Sequence, residues 1–298
     1  MAATRQAERR RRMAGPTPVR PARVRVRWDR VSVLAALVAV LSTVTAHAVI
    51  GTVTDSLRAM TAASQPSPTR TSITVAQHAP EAQQKCPRPA KGIVHTAPAV
   101  ADAAVRTVAL TFDDGPGSAT PAVLEILRRN NVRATFFVIG QRAAAEPEML
   151  RRIVGEGHAL GNHTWSHRIP RAKAGWKRST VSAEIERTNH AILAATGLEP
   201  CVFRPPGGIV KGARKVTQAA DLSMILWSTD PRDWATAHYK KLAPVIRKRV
   251  AGGLTEEHPV ILLHDGGGNR SATVAALQGI IDDYRSHGYQ FVTLAEPS

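Results

Sequence analysis

From residue 104 onward, short apolar runs of strand-like composition alternate with helical patterns, and no other feature of this 298-residue chain restricts its fold so strongly. The strand candidates are residues 105–112, 133–140, 158–163, 202–206, 223–229, 259–265 and 289–294. Between them lie helical segments, one opening at Thr120-Pro121 with Thr as N-cap and Pro at the first helical position, another running from Ser182 to a terminal Gly197. Parallel neighbours need crossover connections, so this alternation predicts an α/β fold with helices packed on a parallel sheet. Seven such units in about 195 residues fit a closed or nearly closed β/α barrel slightly better than a doubly wound sheet. Either architecture places its site at the carboxyl ends of the strands.

The polar residues fall where that architecture needs them. Asp113 and Asp114 follow the first strand, His163 follows the third, Arg204 lies at the fourth, Asp230 and Asp233 follow the fifth, and His264 ends the sixth. All share one rim. Adjacent carboxylates repel, and a tight turn needs only one Asp, so an Asx-type turn accounts for half of the Asp113-Asp114 pair. His163 and His167 stand four apart, which on a helical turn or tight loop lets both imidazoles face one cation. Two histidines at this spacing are more often ordinary surface or core residues. Joined by a carboxylate from another strand end, they make the open three-ligand set of a hydrolytic zinc site. With Asp114 in that role, a cation offsets the repulsion within the pair and Asp113 is left beside it as a general base.

Five ordered motifs over about residues 105–295 resemble those of the NodB-homology polysaccharide deacetylases, carbohydrate esterase family 4: TFDDGP at 111–116, HTWSH at 163–167, RPPGG at 204–208, DPRDW at 230–234 and LLH at 262–264. The resemblance implies a distorted (β/α)7 barrel, the NodB homology domain. It implies Asp113 as catalytic base, Asp114, His163 and His167 as metal ligands, Arg204 as the cation orienting the base, and His264 as general acid tuned by Asp233. Trp234 and Leu262 would wall the substrate pocket, with Pro206 and Gly207 at its rim and the Gly207 N–H able to complete an oxyanion hole. Many members carry an aromatic side chain after the two prolines of the third motif, whereas this chain has Gly207. The implied cofactor is a divalent metal, zinc or alternatively cobalt. The implied activity is hydrolysis of N-acetyl groups on an N-acetylglucosamine glycan of peptidoglycan or chitin type. Two alternatives remain: O-deacetylation of acetylxylan, and a catalytically inactive glycan-binding module. A monomer acting on an acetylated polysaccharide is the expected form.

Charge directs attention to the N-terminus. The net charge is +17, and residues 1–30 carry ten Arg against Glu8 and Asp29. This basic tail runs into residues 31–50, which contain no Asp, Glu, Lys or Arg. A basic flank before an apolar run of about 20 residues reads as a transmembrane or signal helix with its basic end in the cytoplasm. The rest of the chain is then extracytoplasmic, tethered to the cell membrane, or secreted if Ala46-His47-Ala48 is a cleavage site. A nucleic-acid partner is not expected, because residues 101–298 carry 25 basic against 19 acidic residues. Residues 51–103, rich in Pro, Ser, Thr and Ala, read as an extended linker before a domain at 104–298. The two cysteines, Cys86 and Cys201, either pair and staple linker to domain or remain as thiols. Asn162-His163-Thr164 matches a glycosylation sequon by coincidence, since a glycan there would crowd His163.

Overall fold

The computed structural model describes residues 90, 92–236 and 242–295. The basic tail, the apolar segment at 31–50 and Cys86 lie outside the described residues. No described helix is long and apolar enough to cross a membrane. Along the chain run β1 (Ile93–Val94), β2 (Thr107–Gly115), α1 (Thr120–Arg129), β3 (Thr135–Val138), α2 (Gly140–Ala145), α3 (Pro147–Gly155) and β4 (Ala159–Asn162). Then follow α4 (Arg178–Thr196), β5 (Val202–Phe203), α5 (Arg214–Ala219), β6 (Ser223–Ile225), α6 (Ala243–Val250), β7 (Val260–His264), α7 (Ser271–Ser286) and β8 (Gln290–Phe291).

The strands form one parallel sheet in the order β1-β6-β5-β4-β3-β2-β7, with β8 pairing β2. The chain just past β6 then returns to β7: Thr229 bridges Ile261, and the Leu262 N–H donates to the Thr229 carbonyl at 3.0 Å. The segment after β6, the strand next to β1 at one end of the order, therefore meets β7 at the other end.

β2 shows how the sequence divides its two faces. Val108, Leu110 and Phe112 join the main core with Val123, Leu124 and Leu127 of α1 and Leu277 and Ile281 of α7. Each such side chain taken out of water contributes about 1.5–3 kcal/mol before conformational entropy is set against it. The alternate residue Ala109 joins a second cluster with Phe137, Val202, Ile225 and Val260. Strand periodicity of two carries Thr111 and Asp113 toward that same inner side. Thr111 is already committed to polar partners there, donating to the Ile261 carbonyl at 2.6 Å.

All seven expected strands are present, most of them trimmed at their ends. Two details differ. Ile93–Val94, in the stretch read as linker, pairs with Met224–Ile225 of β6, and Ala97 is buried behind it. A two-residue edge strand with no alternation of its own leaves no periodic trace. Thr120 is not an N-cap: its hydroxyl accepts from the Gly117 N–H at 2.8 Å and donates to Asp265, so a tertiary partner has taken the group that a cap would use. Helix α4 does end at Gly197, whose φ of 74° is the left-handed geometry that glycine adopts without a Cβ penalty. Phe203 is buried and Trp227 half-buried, both in core clusters. Cys201 is buried and disulfide-bonded.

Candidate functional site

Regular strand geometry would send Asp113 and Asp114 to opposite faces. The sheet avoids this with an irregularity between Asp113 and Gly115, where the register to β3 shifts and Asp114 adopts φ 70°. Aspartate tolerates that left-handed region better than most residues. Both carboxylates are buried, at 3% and 8% exposure. Gly266 fits against the bend: a Cβ there would meet the Asp114 carbonyl oxygen at 1.8 Å, so no larger residue permits this approach.

His163 and His167 come together through a loop, not a helix. Thr164 and His167 take φ 68° and 52°, and the His167 N–H donates to the Thr164 hydroxyl at 3.2 Å. Ser166 fastens the loop to α4 through Glu184, its N–H donating at 2.7 Å. The rings lie 4.9 Å apart between centroids. Asn162, in the sequon, is wholly buried and bonded to Ile185 and Asn189, so it is a structural residue.

Asp114 Oδ1 lies 3.0 Å from His167 Nε2 and 3.6 Å from His163 Nε2, and one ligand atom from each of the three residues lies within 4.8 Å of the others. His163 Nδ1 is 2.7 Å from the Arg204 carbonyl. A carbonyl only accepts, so Nδ1 carries the proton and Nε2 presents its lone pair to the carboxylates. Asp114 Oδ1 is itself buried with no hydrogen-bond partner. A lone pair and an anionic oxygen turned toward one point, with no proton between them, fit a cation there. The electrostatics agree. Burial holds the His163 imidazole below its ordinary range and so neutral. Burial alone would raise Asp114, but the imidazoles of His167, His163 and His264 beside it outweigh burial and hold the carboxyl well below the usual range.

Asp113 is separated from this set by its other partner. Its Oδ2 is 3.6 Å from His163 Nε2, while Oδ1 is taken by the Arg204 guanidinium at 2.7 Å. Arg204 is fully buried, also donating to Thr111 at 2.8 Å and to the Leu226 carbonyl at 3.0 Å, and its guanidinium lies 4.1 Å from the Phe137 ring centroid. Such anchoring fixes where Asp113 points.

The second imidazole cluster is built on Asp233. His264 Nδ1 is 2.7 Å from Asp233 Oδ1, and the His264 backbone N–H donates to Oδ2 at 2.9 Å. Thr273 of α7 donates to the same Oδ2 at 2.8 Å. Burial disfavours the charged ring of His264, yet the Asp233 hydrogen bond and charge, with Asp113 and Asp114 behind them, raise it above the ordinary histidine value. Asp230, also expected on the rim, accepts from the Arg232 N–H at 2.7 Å in a local turn.

Of the expected lining residues, Trp234 is 45% exposed with Arg232 lying 5.2 Å from its ring centroid. Leu262 is buried in β7, Pro206 is buried, and Gly207 is exposed with φ 63°. Sequence reasoning passed over Thr111, Asp265, Arg270 and Thr273. Arg270 is buried with Nη2 4.0 Å from Asp114 Oδ2, and burial pushes the Asp265 carboxyl up to about 7. The Asp directly after His264 was the one signal available.

Comparison with known proteins follows the same residues. Residues 101–225 match the polysaccharide deacetylase family. A peptidoglycan-N-acetylglucosamine deacetylase of Bacillus cereus is 37% identical over 201 residues, 64% of this chain and 87% of that protein. A peptidoglycan-N-acetylglucosamine deacetylase of Listeria monocytogenes is 39% identical over 194 residues, but the match spans only 38% of that longer protein and 64% of this chain. Among solved structures, a family 4 carbohydrate esterase from Streptomyces lividans in complex with acetate superposes with a TM-score of 0.55 at 34% identity, over 62% of this chain and 91% of that one. With the five motifs gathered at one rim and two relatives matched over most of their length, the chain belongs to the polysaccharide deacetylase family.

Proposed function

We propose that this protein hydrolyses N-acetyl groups on an N-acetylglucosamine glycan of peptidoglycan or chitin type. The observation that carries the reading is the convergence of Asp114, His163 and His167 beside a separate carboxylate, Asp113, that Arg204 holds in place. Asp114, His163 and His167 would hold a divalent ion, zinc by the chemistry of a two-histidine, one-carboxylate set, which would acidify a water and polarise the acetyl carbonyl.

The chain's own groups do the rest. Asp113 takes a proton as water forms the new C–O bond to the acetyl carbon, and the Arg204 guanidinium keeps the base aimed during that transfer. An amide nitrogen leaves poorly until it is protonated. His264, biased toward its charged form by Asp233, gives the nitrogen a proton as the C–N bond breaks, so acetate and a free amine result. Leu262 and Trp234 offer apolar surface to the acetyl methyl and the sugar face, beside Pro206 and the open rim at Gly207. We read the return of the chain past β6 to β7 at Thr229 and Ile261 as the closure of a distorted (β/α)7 barrel. We read residues 31–50 as holding, or having delivered, this domain outside the cytoplasm, where such glycans lie.

The test is acetate release from chitooligosaccharide and peptidoglycan, with acetylxylan alongside. The expected result is release from the N-acetylated glycans, lost to a chelator and restored by zinc or cobalt. No acetate from any N-acetylated glycan under metal-replete conditions would refute the reading.

A further inference from the structure

The folded region carries its charge unevenly. Residues 101–298 hold 25 Lys and Arg against 19 Asp and Glu, a net of +6. Eight of those cations sit in two segments, five in 168–178 and three in 209–215, which contain no Asp or Glu. The remainder of the region is therefore net −2. All eight residues are exposed. The segments form one lobe: the Trp176 N–H donates to the Lys211 carbonyl at 2.8 Å, its buried indole to the Ile209 carbonyl at 2.9 Å, and Lys211 Nζ to the Lys173 carbonyl at 2.6 Å. Among the described residues, Arg168, Arg171, Lys173, Lys177 and Lys215 take part in no ion pair. The basic run at 247–249 is different, with Arg247 paired to Asp283 and Arg249 donating to the Pro231 carbonyl.

The lobe adjoins the site through both of its segments. One leaves His167 directly, so Lys173 lies within about 22 Å of that ring's backbone even if the chain is fully extended. The other follows RPPGG. We infer that this lobe is an exosite for carboxylates carried on the glycan strand that presents the acetyl group, so that the preferred substrate is a peptide-bearing, anionic glycan and not a neutral one. The inference rests on the deacetylase reading. A charge borne on the same strand arrives with the acetyl group, and its capture is then intramolecular; a separate polyanion gains nothing from lying beside this site. Exposed cations with no internal partner give an attraction that salt screens.

The test compares the full chain with its Arg171→Gln/Lys173→Gln/Lys215→Gln variant, both bearing the same basic tail. Binding is measured by co-sedimentation with peptidoglycan bearing its stem peptides, with the same glycan stripped of peptide, and with a phosphate-bearing wall polymer. The parent is expected to prefer the peptide-bearing glycan, and the variant to lose about fivefold to tenfold of that preference, about twofold per exposed charge. Raising salt to about 0.5 M, where the screening length falls to a few Å, should abolish the parent's preference and change the variant's binding by less. An equal loss on both glycans, no loss, or a loss confined to the phosphate polymer would overturn the inference. Acetate release from both glycans is measured in parallel with zinc present. Its absence from both, with peptide-dependent binding intact, would strike the deacetylase reading and leave the lobe standing.

Discussion

At His163 and at His264 the chain sets an imidazole against buried carboxylates, yet the two rings are biased toward opposite protonation states. The His163 Nδ1 proton is fixed on a backbone carbonyl, its Nε2 faces two carboxylates at 3.6 Å, and burial keeps the ring neutral. His264 places its Nδ1 on Asp233 at 2.7 Å and is raised toward the cation despite being nearly as buried. The partner of Nδ1 decides the difference: a carbonyl leaves the far nitrogen a lone pair, while a carboxylate favours a second proton. One ring is thereby suited to a metal, the other to giving up a proton.

The largest expected effect comes from Asp113→Asn, which keeps the shape and the Arg204 contact but removes the proton acceptor. Activity should fall about a hundredfold to ten-thousandfold with metal affinity nearly unchanged. Activity within tenfold of the parent, measured as acetate release, would break the division between base and ligands.

Asp233→Asn sharpens the other half. The pKa of His264 is raised, so the ring stays charged to a higher pH than a free imidazole, and the alkaline limb of kcat/KM should lie above the ordinary value of 6.5. Removing Asp233 leaves burial as the largest remaining influence, which lowers the ring's pKa. The alkaline limb should move to lower pH and kcat should drop about tenfold to a hundredfold. An unmoved limb would assign the alkaline ionisation to another group.

Gly266→Ala tests the support of Asp114. A Cβ crowding the Asp114 carbonyl should cost about 1–3 kcal/mol in denaturant unfolding and weaken metal binding. Wild-type stability would mean that the β7 loop gives way freely. The smallest effect is expected of Thr273→Val, which removes one of the bonds on Asp233 Oδ2: about 1 kcal/mol of stability and a modest loss of kcat, with the metal site unaffected. A Thr273→Val protein that lost metal would merge the two halves.

Much of this was legible because strands of period two and five short motifs keep chemistry close to strand ends. TFDDGP, HTWSH, RPPGG, DPRDW and LLH name the residues that meet. What the sequence hides is how they are aimed. The register shift at Asp113–Gly115 is accompanied by close passage of Gly266, in the loop after β7 about 150 residues away. Thr111 and Thr273 read as ordinary strand and helix residues, since their partners Arg204 and Asp233 are remote in sequence. Ile93–Val94 pairs with β6 through backbone alone, which composition does not record.

The most direct test is Co2+ binding by the metal-stripped full chain, followed through the visible absorption of the bound ion. One equivalent should bind, with binding lost in His163→Ala and Asp114→Ala and kept in His264→Ala. Failure to bind a stoichiometric ion, or binding that survives both ligand substitutions, would contradict the account.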